Sequence, residues 1–375
     1  MRVALDATPL LGVPTGVGAF CHGALAALAQ RPGVDTRAYA VSWRRRRLID
    51  AELPDGVASR QRPMPARPLH ALWRRGDFPP LEWFIGANDV VHGTNFLVPP
   101  TGRAAAVVSV HDLTPLHHPE LCNAATLAYP GFIRRALDRG AWVHTDSAFV
   151  EREVVEAFDA DPSRVRVVNP GIPDLPVPTD AEAAAVLRFL PPGTERFCLA
   201  IGTAEPRKDL PGLVRAFGAV AERQPDVALV LAGPPGWGEQ ALSSAIAASG
   251  VPERIVRTGW VEPPELAALL SRASLLAFPS LYEGFGFPPL QAMRAGVPVV
   301  ATRAGSLPEV LGDGALLVEV RDHDGLVEAL ATCLGDEGER RRLIAAGAAW
   351  SARYSWERCG DELEALYRDA AAGRG

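Results

Sequence analysis

Pro279-Ser-Leu-Tyr-Glu-Gly-Phe-Gly-Phe-Pro-Pro-Leu-Gln-Ala-Met293 is the stretch whose reading decides the fold. The apolar run Ala273-Ser-Leu-Leu-Ala-Phe278 before it has strand length. After it, Pro288 and Pro289 suit a first helical turn and Gly296 supplies a stop. The pattern predicts strand, glycine loop, helix. Gly284 and Gly286 carry no Cβ, so backbone N–H groups from Gly284 and Phe285 through Gly286 and Phe287 can face an anion such as phosphate at the new helix N-terminus. Glu283 stands in the loop, with Gln291 about a turn into the helix. A carboxylate and an amide so placed suit sugar hydroxyls on either side of that phosphate. The competing reading is an ordinary strand-to-helix turn of an α/β domain.

The chain has 375 residues, 48% hydrophobic and 22% charged, which is globular and too long for one comfortable core, so two domains are expected. Its five cysteines, Cys21, Cys122, Cys198, Cys333 and Cys359, are scattered and form no CxxC pair, which favours reduced thiols in a cytoplasmic protein over a disulfide frame or zinc site. An acid follows the short apolar run of Met1-Arg-Val-Ala-Leu-Asp6, and no apolar segment runs uninterrupted for ~18 residues, so neither signal peptide nor membrane span is expected.

A net charge of −6 argues against general nucleic-acid binding, but the charge is uneven. Arg44, Arg45, Arg46, Arg47, Arg60, Arg62, Arg67, Arg74 and Arg75 are interleaved with Trp43, Leu69, Leu72 and Trp73. This is either a solvated face or a patch for anionic lipid headgroups or a lipid-pyrophosphate acceptor, which would bring the protein peripherally to the inner face of a membrane. Of the 38 Lys and Arg residues only Lys208 is a lysine, which marks a place where a compact ammonium is wanted.

In chain order, Arg2-Val-Ala-Leu-Asp-Ala7 reads as a strand and Ala19 to Gln30 as a helix, joined by a glycine-rich loop that includes Thr15-Gly-Val-Gly18. Position 21 is Cys21 where a dinucleotide GxGxxG needs glycine, so that fingerprint is rejected. Strand ends follow at Asp89 to Asn95, Ala104 to Asp112 and Trp142 to Ser147, placing His92 and His111 where open parallel sheets gather ligands; His92 reads as a packed or capping residue. Pro173 to Pro178 reads as a linker. A second strand–helix series begins at Phe197-Cys-Leu-Ala-Ile-Gly202. There Arg207 and Lys208 precede a helix whose N–H groups, with the two cations, suit a diphosphate. Ser306 reads as a helix cap, and the acidic pairs Asp159/Asp161 and Asp322/Asp324 read as caps before metal ligands.

The stretch from Glu283 to Gln291 resembles the glutamate-x7-glutamate signature of the retaining GT-B glycosyltransferases of family 4, the glycosyl transferases of group 1, which include bacterial mannosyltransferases. The resemblance covers nearly the whole chain, most specifically residues 197 to 320. It implies an α/β GT-B fold of two Rossmann-like, doubly wound parallel-sheet domains facing a cleft. Residues 1–175 would take the acceptor and 176–350 the nucleotide sugar, with residues 351–375 a helix returning to the first domain. It implies that Glu283 contacts the donor sugar and that the residue at 291 holds the ribose. The chain departs there with Gln291, and again at Thr203, where the family commonly has arginine. The resemblance further implies that Arg207 and Lys208 bind the diphosphate and that His111 contacts the donor sugar. Gly16 and Gly18 would belong to the acceptor-side loop, and Trp260 to the segment bordering the base.

These readings give a metal-independent, retaining hexosyltransferase with catalytic His111, Glu283 and Lys208. It needs no cofactor and uses a nucleotide diphosphate sugar, GDP-mannose before UDP-sugars. It would act on a glycan, lipid-linked or small-molecule acceptor. The alternatives are a sugar-nucleotide epimerase of similar fold and a non-catalytic sugar-nucleotide-binding or scaffold relative.

Overall fold

Seven short strands, β1 (Arg2–Asp6), β2 (Asp35–Tyr39), β3 (Ala58–Ser59), β4 (Val90–Gly93), β5 (Ala105–Val110), β6 (Trp142–Thr145) and β7 (Val165–Val167), form one parallel sheet in the order β3-β2-β1-β4-β5-β6-β7. Six more, β8 (Arg196–Ile201), β9 (Val227–Ala232), β10 (Ile255–Gly259), β11 (Leu275–Phe278), β12 (Val299–Thr302) and β13 (Ala315–Val318), form a second in the order β10-β9-β8-β11-β12-β13. The structure is a computed structural model and describes residues 1–12, 15–59 and 61–373. Arg60 and the side chain of Arg46, both counted in the basic cluster, lie outside the described residues, as do the side chain of Phe189 and the loop residues Val13 and Pro14.

The chain divides into two units, Met1–Gly171 with Tyr354–Gly375, and Ile172–Arg353. Every residue of β4, β5, β9, β11 and β12 is buried, as a parallel sheet covered on both faces requires, and this is why these strands read as continuous apolar runs.

In the first unit the chain passes from β1 outward to β2 and β3, then returns to β4 on the other side of β1. The helix Gly16–Ala29 follows β1. Thr15 is its N-cap, with Oγ1 accepting from the Gly18 N–H. The expectation of a glycine loop is corrected here: Gly16 and Gly18 are helical, because a capping threonine moves the helix start ahead of them. Within this helix a Cβ on Gly23 would lie 2.2 Å from the ring of Trp356, so glycine is what lets the C-terminal helix Trp356–Ala372 close against it. The C-terminal helix thus belongs to the first unit.

The second unit repeats the winding. From β8 the chain goes out through β9 and β10 and comes back to β11 on β8's other edge. The intervening helix Leu210–Arg223 buries Leu213, Val214, Phe217, Val220 and Ala221 at helical spacing against the sheet. Each large apolar side chain so buried contributes about 1.5–3 kcal/mol, and Phe217→Ala would cost about 3–5 kcal/mol.

Candidate functional site

The reversal of strand order between β8 and β11 opens a crevice at their carboxyl ends, the place where doubly wound sheets bind ligands. The loops leaving these two strands carry Lys208 and Glu283. After β8, Gly202 has φ 151°, and the chain makes a 3₁₀ turn Pro206–Lys208 before Asp209. The Lys208 stem lies over Gly202, and its ammonium sits 4.5 Å from the centre of the Phe278 ring at the end of β11. It donates to Glu283 Oε1 at 2.6 Å. Burial, followed by the neighbouring Arg207, pulls the Lys208 pKa down against the attraction of Glu283.

Glu283 is 6% exposed, and both of its carboxylate oxygens have partners. Its Oε1 also accepts from Ser280 Oγ at 2.7 Å, and its Oε2 faces Arg207 Nη1 at 2.6 Å. Burial alone would raise its pKa, but Arg207 and Lys208 overcome this and hold it at about 2. The carboxylate is therefore ionised throughout the neutral range, an acceptor for hydroxyl protons and no proton donor. Its backbone is clamped too, because Ser306 N–H donates to Glu283 O. Gly305, at φ 57°, makes that approach possible, since a Cβ there would lie 2.2 Å from the same oxygen.

Arg207 is taken up by structure: besides Glu283 it pairs with Glu205 Oε1 at 2.7 Å and donates to Tyr282 O. Two expectations about helix ends are corrected. The N-terminus of Leu210–Arg223 does not offer its first turn to phosphate, because Asp209 is its N-cap and Oδ1 accepts from Gly212 N–H. Ser306 makes no side-chain cap; its hydroxyl donates to Phe285 O, tying the next helix to the glycine loop. The acidic residues Asp161 and Asp322 do cap, through Ser163 N–H and Gly325 N–H.

The helix after the loop, Phe287–Arg294, starts at Gly286 with no side chain capping it. Pro288 and Pro289 in its first turn have no N–H, so the donors for an anion there are restricted to the loop and to Phe287. Gly286 has φ 128°, and a Cβ would meet Leu307 at 2.9 Å. Phe285 is buried and meets Phe287 edge-on at 5.3 Å between ring centres. Gln291 is half-buried on this helix, and its amide bonds no other described residue. Trp260 follows β10, 42% exposed, with Nε1 donating to Glu262.

His111 lies in the first unit, at the end of β5. Both ring nitrogens face acceptors: Nδ1 lies 2.7 Å from Asp146 Oδ2 and Nε2 lies 2.8 Å from Thr94 O. Two acceptors call for two N–H groups, an imidazolium. Burial opposes that charge, yet Asp146 and the Thr94 carbonyl outweigh it and raise the His111 pKa.

Residues 188–350 match the family described as Glycosyl transferases group 1. Over 288 residues the chain is 31% identical to the O-antigen chain mannosyltransferase B of Escherichia coli, covering 74% of each protein. The chain belongs to the group 1 glycosyltransferases. It is also 34% identical over 229 residues to the D-inositol 3-phosphate glycosyltransferase of Nocardia farcinica, 58% of this chain and 50% of that protein, so it spans about half the length of that relative. Among solved structures, the sucrose-phosphate synthase of Thermosynechococcus elongatus superposes with a TM-score of 0.76 at 19% identity over 100% of both chains. The glycosyltransferase thus has the GT-B fold, two Rossmann-like parallel sheets.

Sequence reasoning missed the residues that hold this glycosyltransferase's charged groups in place: Ser280, Glu205 and Gly305 around Glu283, and Asp146 beside His111. Asp146 was within reach, since Trp142-Val-His-Thr-Asp-Ser147 ends a strand as Val110-His-Asp112 does, and β5 and β6 are neighbours.

Proposed function

We propose that the protein transfers a hexosyl unit, mannosyl for preference, from a nucleotide diphosphate sugar to an acceptor hydroxyl with retention and without a metal. The observation that carries this reading is the largely buried Lys208–Glu283 pair at the carboxyl ends of β8 and β11. Breaking the bond between the sugar's anomeric carbon and the diphosphate oxygen leaves negative charge on phosphate and positive charge on the ring. Lys208 has three ammonium protons and gives one to Glu283, so it can bond a phosphate oxygen without leaving the carboxylate. Glu283, ionised and pinned by two cations, accepts from sugar hydroxyls and orients the ring.

The carboxylates next to Lys208 in the chain are engaged, Glu205 with Arg207 and Asp209 in the helix cap. A front-face course fits, in which the acceptor oxygen bonds the anomeric carbon on the face the phosphate leaves, and the departing phosphate oxygen takes the acceptor's proton. Loops, cations and amides supply the charge a metal would otherwise supply.

The mannosyl preference and a glycan acceptor are supported by the O-antigen chain mannosyltransferase relative; GDP-mannose as donor and a lipid-linked form of the acceptor are part of the proposal itself. A small-molecule acceptor is supported by the inositol phosphate relative. Contact with an anionic membrane surface is supported by exposed Trp43, Leu48, Leu72 and Trp83 beside exposed Arg44, Arg45, Arg47, Arg67, Arg74 and Arg75. A cavity of about 650 Å³ opens among Trp43, Arg62 and Trp83. Among the described residues no helix is long and apolar enough to cross a membrane.

The test is turnover of GDP-mannose and UDP-glucose with and without a mannosyl-terminated acceptor, with the product's anomeric configuration read by NMR. A glycoside of retained configuration that forms only with acceptor supports the reading. Donor isomerised without acceptor would make the protein an epimerase, and no turnover of any sugar nucleotide would leave the scaffold alternative.

A further inference from the structure

A run of buried polar side chains in the first unit has no part in the donor chemistry above. The Tyr367 hydroxyl, on the helix Trp356–Ala372, lies 2.7 Å from His92 Nδ1, and His92 Nε2 lies 2.8 Å from Ser109 Oγ. Ser109 Oγ lies 2.8 Å from His144 Nδ1, and His144 Nε2 lies 3.1 Å from Val168 O. Tyr367, His92, Ser109 and His144 are all completely buried.

The direction of these bonds follows from the last acceptor. A carbonyl can only accept, so His144 carries its proton on Nε2 and, as a neutral ring, accepts on Nδ1. Ser109 must then donate to His144 and accept from His92 Nε2–H, which leaves His92 Nδ1 to accept from the Tyr367 hydroxyl. Burial, together with the neighbouring histidines, keeps His92 far below the usual imidazole range, and burial lowers His144 as well, so both rings are neutral. The far end meets Asp146. Its Oδ1 is buried without a hydrogen-bond partner and faces His144 Nε2 at 3.6 Å, while its Oδ2 holds His111. Reversing the run would turn a lone pair of His144 toward both the Val168 carbonyl and that carboxylate.

We propose that Tyr367, His92, Ser109 and His144 are positioning residues for His111. The hydroxyl on the C-terminal helix starts a one-way hydrogen-bond chain that keeps an N–H at His144 Nε2, bonded to the Val168 carbonyl and on the side of Asp146 Oδ1. Asp146 is thereby faced by an N–H instead of a lone pair and holds His111 doubly protonated in one orientation. His111 is faced otherwise by Asp112 and by the rings of Phe20, Phe96 and His144. The consequence for turnover rests on the proposed role of His111 at the donor sugar; the chain itself does not.

Long-range ¹H–¹⁵N spectra of histidine-labelled protein at pH 7 test it directly. The expected result is neutral Nε2–H rings for His92 and His144 and a doubly protonated His111. A His144 protonated on Nδ1 alone, or a neutral His111, would overturn the proposal. Tyr367→Phe keeps the packing and removes the hydroxyl. It should turn His92 into a mixture of tautomers and lower kcat several-fold at unchanged nucleotide Kd, and tautomers and kcat equal to wild type would remove Tyr367 from the role. If that variant does not fold, the wild-type spectrum still decides. Absence of glycosyl transfer alongside the stated tautomers would count against the functional reading alone.

Discussion

Lys208 Nζ and Glu283 Oε1 stand 2.6 Å apart although 75 positions separate them in the chain. The two loops meet because β8 and β11 are neighbours at the reversal of strand order, and the pair is largely shielded from solvent beside Arg207 as a third charge. A cation and an anion so fixed cost desolvation on their own account, which a site for a charged ligand turns to use.

Lys208→Ala is expected to lower kcat by ~100-fold or more, the size of effect seen when one transition-state charge contact is removed. Glu283 keeps Arg207 and Ser280, so the fold should survive. Lys208→Arg should rescue only partly, because a planar fork does not replace the compact ammonium that donates to Glu283 Oε1. Steady-state rates of the three proteins check this, and an alanine variant as fast as wild type would exclude Lys208.

Gly305→Ala should lower activity although it removes no charged group. It demands φ 57° of a residue with a Cβ and drives that Cβ to 2.2 Å from Glu283 O, so Glu283 must move. Activity should fall ~10-fold or more, since an ångström of misplacement can cost up to ~100-fold. Gly250→Ala has similar backbone strain at φ 78° but open space around it, and should lower Tm with little effect on rate. Equal rates for the two variants would show that Gly305 has no bearing on Glu283.

This glycine shows where sequence reading stopped. Glu283, Lys208 and the strand–loop–helix plan were legible because each is written in one contiguous stretch. The partners that fix them, Ser280, Glu205, Gly305 and Asp146, depend on which strand ends are neighbours. Asp209 was legible and misjudged: an aspartate directly before Leu210-Pro211 is a cap signal, and it takes the N–H group that was assigned to phosphate. Thr15 gave the same signal ahead of Gly16 and Gly18.

The His111–Asp146 pair should show in stability against pH. The folded His111 pKa is raised, so its contribution is fully present below the unfolded value of 6.5 and is lost as pH rises through the folded pKa. The Tm deficit of His111→Gln relative to wild type should therefore be largest near pH 6 and shrink toward pH 9. A deficit that grows with pH would contradict the imidazolium assignment.

Activity is expected to persist in EDTA, because Lys208 and the loop amides supply the charge on which the leaving group depends. Complete loss that Mg²⁺ or Mn²⁺ restores would overturn the metal-free course.

Gln291→Glu should tighten nucleotide binding if position 291 holds the ribose, by about 1 kcal/mol for a charge-assisted over a neutral bond. The Gln291 amide bonds no other described residue, so no internal bond is lost in the exchange. Unchanged nucleotide Kd in both Gln291→Glu and Gln291→Ala would assign the ribose elsewhere.

The central claim is that Lys208, held by Glu283, receives the donor's diphosphate, and calorimetric titration of GMP and GDP into wild type and Lys208→Ala tests it most directly. The ratio of the two dissociation constants isolates what the second phosphate adds, independently of base and ribose. The account predicts a wild-type protein that binds GDP at least ten-fold tighter than GMP, about 1.4 kcal/mol, and an alanine variant in which that advantage collapses while GMP affinity changes little. The same ratio in both proteins would contradict it.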